Sequence, residues 1–438
     1  MRPARALLFL VALLGLPGCS EECLDCDVEC VAPQPTVLLN MPGILMAGQP
    51  ATLSLPPAHL GGCGSGSQAS SATSEVYGPD GALVPSELTF SGPTASTRLR
   101  FTPPQPGPYH LLIAFAPVGG LQQFDLHAAA DRSAEATRLT LPSTCTSLER
   151  TRLGTWACGS TLIRDGMVVA QFEGARLAVA DDVVWVVTET LARRFHETPT
   201  EFWQSHSVGY TSRSTEFLLA TPDELLLLHG SELMQIVARS GLRSPSTVVP
   251  LPAATVGPRA SRGVLLRDGE HVALVSRAET ATGTDLQVCP ILLAPSGPAR
   301  LPTQCQLISG HVVGFEPSVL WTADPPTRLS GGGIHRWTWT AGRLQEQSAL
   351  ALGSQIRLVE TTLLRPTAVP VVSSVPSDTP PAPFPAVVTW SAERQRLSLE
   401  HLDSTLLELS ASPSFYWGRG APPASGSQTQ LLLRPSSP

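Results

Sequence analysis

Between residues 36 and 115, apolar and polar residues alternate in short runs at 36–40, 51–55, 82–90, 97–101 and 109–115, bounded by glycine, proline and serine. Alternation with a period of two puts one face of an extended chain in a core and the other in water, so these runs predict strands. Asp80-Gly81 accepts positive φ angles and predicts a tight turn. Several strands at this spacing argue for a β-sandwich over residues 35–127 rather than a βαβ domain. Residues 128–137 are small, polar and charged, and read as a linker.

Beyond residue 138 the pattern changes, and all eight tryptophans lie there. Apolar runs are interrupted at Asp181-Asp182, Pro222-Asp223 and Asp268-Gly269, with related breaks at Glu316-Pro317, Arg365-Pro366 and Ser412-Pro413. The interval is roughly 40 to 50 residues, the length of a four-stranded propeller blade. A single blade cannot bury both faces, whereas a closed ring of blades can. The spacing predicts six or seven blades over residues 138–438, with 431–433 completing a blade begun near Leu139. A large β-sandwich, or two smaller β domains, is the competing architecture. No Trp-Asp dipeptide or kelch double glycine recurs, so the segment resembles propellers in period only. Upstream, Gly107-Pro108-Tyr109 followed by alternating apolar residues resembles a late strand of bacterial Ig-like domains, in which the tyrosine stands at a corner. The fold class expected is all-β, an N-terminal Ig-like β-sandwich followed by a β-propeller-like domain.

At the amino terminus, Arg2 and Arg5 precede an apolar run at 6–16, too short to span a bilayer. The run ends in Leu16-Pro17-Gly18-Cys19, which resembles the lipobox of bacterial lipoproteins. That resemblance implies a signal peptide over residues 1–18, a diacylglycerol thioether (and usually a third chain, such as palmitate) on Cys19, and a lipid membrane as partner. By the enteric sorting scheme, Ser20 directs the protein to the outer membrane; which face it occupies stays open. An ordinary secretory signal, with Cys19 in a disulfide, is the alternative. Of nine cysteines, an acylated Cys19 leaves an even number to pair in an oxidising compartment. Residues 19–34 form an acidic tether in which Cys23, Cys26 and Cys30 could, with Cys63, bind a soft metal or form disulfides. The compartment favours disulfides, and their pairing stays open. Proximity and parity predict Cys145–Cys158 and Cys289–Cys305 as bridges, each stabilising by about 3 kcal/mol in the chain-entropy model.

Charged residues make up only 15% of the chain, and its 42 prolines oppose helix. Every basic residue is arginine, which excludes a Walker P-loop, a Schiff-base lysine and a Ser-x-x-Lys acylase. A net charge of −7 with dispersed arginines gives no footprint for nucleic acid. Histidines are scattered singly, without metal-ligand spacing, and no nucleophile elbow or calcium loop occurs, so no metal, cofactor or catalytic residue is expected. Two classes remain. One is a non-catalytic binding or scaffolding module for an envelope protein or surface polysaccharide; the other is a propeller-type glycan hydrolase or lyase, whose paired carboxylates sequence cannot reveal. Tyr416, Trp417 and Arg419 are binding-face candidates on an expected exposed loop, whereas Trp337 and Trp339 read as blade core.

Overall fold

The computed structural model describes residues 44–433, apart from stretches of which the longest are 56–70, 248–262, 359–368 and 374–384. The leader, the tether with Cys19, Cys23, Cys26 and Cys30, the run at 36–40, and Cys63 all lie outside the described residues. Among the described residues no helix is long and apolar enough to cross a membrane.

The first module is a two-sheet sandwich. Its strands are β1 (Ile44–Met46), β2 (Ala51–Leu55), β3 (Ser71–Tyr77), β4 (Leu83–Val84), β5 (Ser86–Thr89), β6 (Thr97–Phe101), β7 (Gly107–Ala116) and β8 (Gly120–Asp131). One sheet runs β1-β8-β7-β3-β4, the other β2-β6-β5. Alternation does the sorting: every second residue of β7 is buried, and Leu111 and Ile113 meet Leu53, Leu99 and Phe101 of the opposite sheet. The run at 82–90 is split, because Pro85 offers no N–H to a ladder and the chain changes sheets there. The expected turn at Asp80-Gly81 forms, with Gly81 at φ 75° and Asp80 Oδ1 accepting from Ala82 N at 3.0 Å. Tyr109 is fully buried, and its hydroxyl donates to Gln105 O at 2.7 Å, closing the corner that the Gly-x-Tyr opening suggested. Gly107 is required there: its φ is +140°, and a Cβ would sit 2.6 Å from the Pro79 ring.

The rest is a propeller. Strand β9 (Thr137–Thr140) comes first in sequence, and seven blades follow among the described residues, the last of them completed by β9. Blade 1 is β10 (Leu148–Arg150), β11 (Trp156–Cys158), β12 (Thr161–Arg164) and β13 (Met167–Gln171). Blade 2 is β14 (Arg176–Ala180), β15 (Val183–Val187), β16 (Leu191–Glu197) and β17 (Phe202–Gly209). Blade 3 is β18 (Phe217–Ala220), β19 (Glu224–His229), β20 (Glu232–Val237) and β21 (Gly241–Thr247). Blade 4 has β22 (Val264–Asp268), β23 (His271–Thr280), β24 (Gly283–Ala294) and an outer edge shared by β25 (Gly297–Arg300) and β26 (Gln306–Ser309). Blade 5 is β27 (His311–Glu316), β28 (Val319–Ala323), β29 (Gly333–Thr340) and β30 (Arg343–Ala351). Blade 6 is β31 (Ile356–Leu358), β32 (Val369–Ser373), β33 (Pro385–Ser391) and β34 (Arg396–His401). Blade 7 joins β35 (Leu406–Ala411), β36 (Phe415–Gly420) and β37 (Thr429–Leu433) to β9.

Among the described residues the ring therefore has seven blades, and it closes by lending its first strand to its last blade, with Leu139 opposite Leu431. Four of the sequence interruptions fall at the junction of the first and second strands of blades 2 to 5, one per blade and in phase, while Arg365-Pro366 and Ser412-Pro413 lie outside the described residues. Second strands such as β15 and β28 are buried at every position, because both faces of a blade pack against neighbours. Alternation consequently fades in this half of the chain.

Both predicted disulfides form. Cys145–Cys158 ties the segment leading out of β9 to β11, beside the point of ring closure. Cys289–Cys305 staples the excursion between β25 and β26 back to β24.

One boundary differs from expectation. Residues 128–131 belong to strand β8, which runs on from the sandwich and pairs in parallel with β34, Ala130 opposite Glu400. Ala128 and Ala129 are small because two modules close over them. Ile44 and Ala129 pack with Trp321, Leu350, Ile356 and Val388 of blades 5 and 6.

Candidate functional site

In blades 1 to 5 the first and third hairpins emerge on one rim of the ring. Two-residue turns build much of it: Asp181-Asp182, Pro222-Asp223 and Pro317-Ser318 join first to second strands. A residue at or next to the end of the third strand donates its backbone N–H to that turn. The bonds are Glu197 N to Asp182 O (2.8 Å), Ala238 N to Asp223 O (2.9 Å) and Trp339 N to Ser318 O (2.8 Å).

Side chains then latch each blade to the next. Glu197 is closed to solvent; its Oε1 accepts from Arg164 Nη2 at 2.7 Å and from Thr155 Oγ1 at 2.5 Å, both in blade 1. Between blades 2 and 3, Arg194 donates to Pro222 O at 2.6 Å and pairs with Asp223 at 3.3 Å, while Trp185 Nε1 donates to Thr221 O at 2.9 Å. Arg267 of blade 4 reaches Glu224 of blade 3 at 2.5 Å, and Trp339 Nε1 of blade 5 donates to His271 O of blade 4 at 2.9 Å. Charges removed from water need partners of this kind, and the arginine fork supplies several at once.

On the blade 3 side of blade 2 these latches carry a surface feature. His196 of β16 lies opposite Trp203 of β17, and the two rings stack at 4.9 Å with planes 17° apart. Arg194 Nη1 donates to His196 Nε2, which requires a neutral imidazole. Burial, with the Arg194 charge beside it, pushes the His196 pKa down, consistent with that state. Trp203 remains 46% exposed. Two other groups are electrostatically perturbed. His335 is desolvated, yet hydrogen bonds to Glu346 (2.7 Å) and Asp324 (2.9 Å) outweigh that and raise its pKa. Burial raises the Glu316 pKa against the opposing charge of Arg336.

Among the sequence candidates, the four bridging cysteines are paired as expected, and Trp339 is buried in the core joining blades 3 to 5 with Trp337 against it. Tyr416, Trp417 and Arg419 are not on a loop. They lie in β36, which pairs on both edges with β35 and β37, as suits an aromatic run of high strand propensity. Trp203 was passed over in the sequence. Its signal is an aromatic pair set among polar residues, Phe202-Trp203-Gln204-Ser205-His206, which marks an outer strand with one wet face. Among the described residues no three metal-ligating side chains cluster.

No protein-family model matches the chain, and neither does any curated protein. Solved structures do resemble it at low identity. Hsv2 of Kluyveromyces lactis is 10% identical over 66% of this chain and 97% of that one, with a TM-score of 0.36. The N-terminal domain of Nup159 is 11% identical over 67% and 90% respectively, with a TM-score of 0.31. A quinonprotein alcohol dehydrogenase-like protein of Bacteroides thetaiotaomicron is 8% identical over 90% and 96%, with a TM-score of 0.26. The ladders of the seven blades carry the fold assignment.

Proposed function

We propose that this protein is a lipid-anchored, non-catalytic binding module of a bacterial outer membrane, with acyl chains on Cys19 as the mooring and an Ig-like sandwich as the spacer. The observation that supports a binding role is how one rim of the ring is built. Arg164, Arg194 and Arg267 are held by carboxylates or carbonyls of adjoining blades, so the turns between them keep fixed positions. A surface whose geometry is set beforehand binds a partner without the entropic cost of ordering it. The partner in this reading is an envelope protein or a surface polysaccharide. The anchor follows from the lipobox resemblance at 16–19 and from cysteine parity; two acyl chains suffice for stable attachment.

Two measurements test the proposal. Intact mass of the protein extracted from its native membrane should show an amino terminus at Cys19 bearing acyl chains, and Cys19→Ala should move the chain to the soluble fraction. Crosslinking in intact cells should then join the propeller to a defined envelope component. An unmodified Cys19 thiol overturns the anchor, and turnover of a glycan by the purified chain overturns the non-catalytic role.

A further inference from the structure

The stacked pair on blade 2 has the construction of a ligand platform. Trp203 projects from the outer strand with almost half its surface in water, while its inner face rests on His196. The ring is braced from several sides. His196 is fixed by Arg194, whose guanidinium is anchored in turn on Pro222 O and Ser205 Oγ. The preceding turn is closed by Thr198 N donating to Glu201 O at 2.9 Å, and the neighbouring Phe202 is capped on the opposite side of the strand by Arg164, 4.8 Å from the ring centroid. An indole held this firmly loses little freedom when something stacks on it. A hydrophobic residue this large, exposed yet immobilised, has no role in the core of the blade.

The flanking charges narrow the choice of occupant. Asp182 and Asp223 lie close to the imidazole: the Asp182 backbone accepts from Glu197 N at 2.8 Å, next to His196, and Asp223 pairs with Arg194, which holds His196. Each already faces an arginine, Asp182 with Arg152 at 3.6 Å and Asp223 with Arg194 at 3.3 Å. Both carboxylates are thus charge-balanced, and a single ring is not a cage. It offers one electron-rich face, with the paired carboxylates of Asp182 and Asp223 near the imidazole beneath it. A pyranose ring matches this: its axial C–H groups carry slight positive charge toward an aromatic face, and its equatorial hydroxyls both donate and accept. A few placed polar groups around an apolar floor are the usual composition of a small-ligand site.

From this geometry we infer that the exposed face of Trp203 on blade 2 is a carbohydrate subsite, in which one neutral sugar ring stacks on the indole and hydrogen-bonds to Asp182 and Asp223. The inference rests on the binding-module reading and gives it a ligand class. It does not depend on the anchor.

The test uses the mature-length chain and three neutral oligosaccharides, cellotetraose, chitotetraose and laminaritetraose, followed by tryptophan emission and calorimetry at millimolar concentration. At least one should bind saturably. Trp203→Ala should weaken it by about tenfold or more, whereas Trp203→Phe should keep most of the affinity. Asp223→Asn should weaken it less than Trp203→Ala. Thermal unfolding of each variant should match the parent, since Trp203 lies outside the core. Binding of none of the three, equal binding by Trp203→Ala, or binding of choline in their place overturns the inference. Each of these results leaves the mass of Cys19 and the crosslinked partner to decide the broader reading separately.

Discussion

Glu197 carries its charge into a site sealed from water, and Arg164 and Thr155 are what make that tolerable. Truncation would leave the Arg164 guanidinium, itself mostly buried, without its carboxylate. Glu197→Ala should therefore destabilise the protein by about 3 kcal/mol in urea unfolding. Arg152 makes a looser pair with Asp182 at 3.6 Å from an exposed position, and Arg152→Ala should change stability by less than about 1 kcal/mol. The contrast separates a latch between blades from a surface ion pair of similar appearance. Neither residue stands out in the sequence. Charged residues are scattered along the chain, and only the packing of blade 1 against blade 2 decides which of them loses its water.

Strand β8 shows how one element serves two modules. Its outer half completes the sandwich, while its last residues add a parallel strand to the edge of blade 6 and so cover an edge that would otherwise template unwanted pairing. His127 sits at this junction, 3% exposed. Burial lowers its pKa from 6.5 to about 4, although a hydrogen bond with the Ala351 backbone works the other way. The folded state therefore holds His127 neutral, while the unfolded chain takes up a proton below pH 6.5. Its contribution is complete above that value and is lost as pH falls towards 4, by about 3 kcal/mol in all. A series of unfolding curves across this range should show the decline, and His127→Leu should flatten it. The other element-level device is the clasp at ring closure. Cys145→Ser with Cys158→Ser should cost about 3 kcal/mol. Hydrogen exchange should quicken in β9 and β37, because the short β9 ladder then holds the closing blade with less help.

At the scale of the whole molecule, the nine-stranded sheet that runs from blade 6 through β8 into the sandwich couples the two modules mechanically. A buried arginine at Ala129 would pry them apart, since Ile44 and Ala129 fill the space against Trp321, Leu350 and Val388. Calorimetry should accordingly show Ala129→Arg unfolding in two separate transitions, where the parent melts the sandwich and blade 6 together. The domain boundary is invisible in the sequence for the same reason. A run of small residues at 128–131 reads as a linker when viewed alone, and as a tight backbone approach once both modules are in place.

Strand content, the turn at Asp80-Gly81, the blade phase and both bridges were legible in the linear chain, because hairpin breaks, alternation and cysteine proximity are local properties of neighbouring residues. The pairing of Leu139 with Leu431 was also foreseeable, since a period that starts part-way through a blade must end by completing it. Tertiary structure alone decided the number of blades, the change of sheet at Pro85, the strand at 416–419, the fusion through β8 and the exposure of Trp203. Each depends on which faces meet across long separations in the chain, and burial of a face is a property of its neighbours rather than of its own residues.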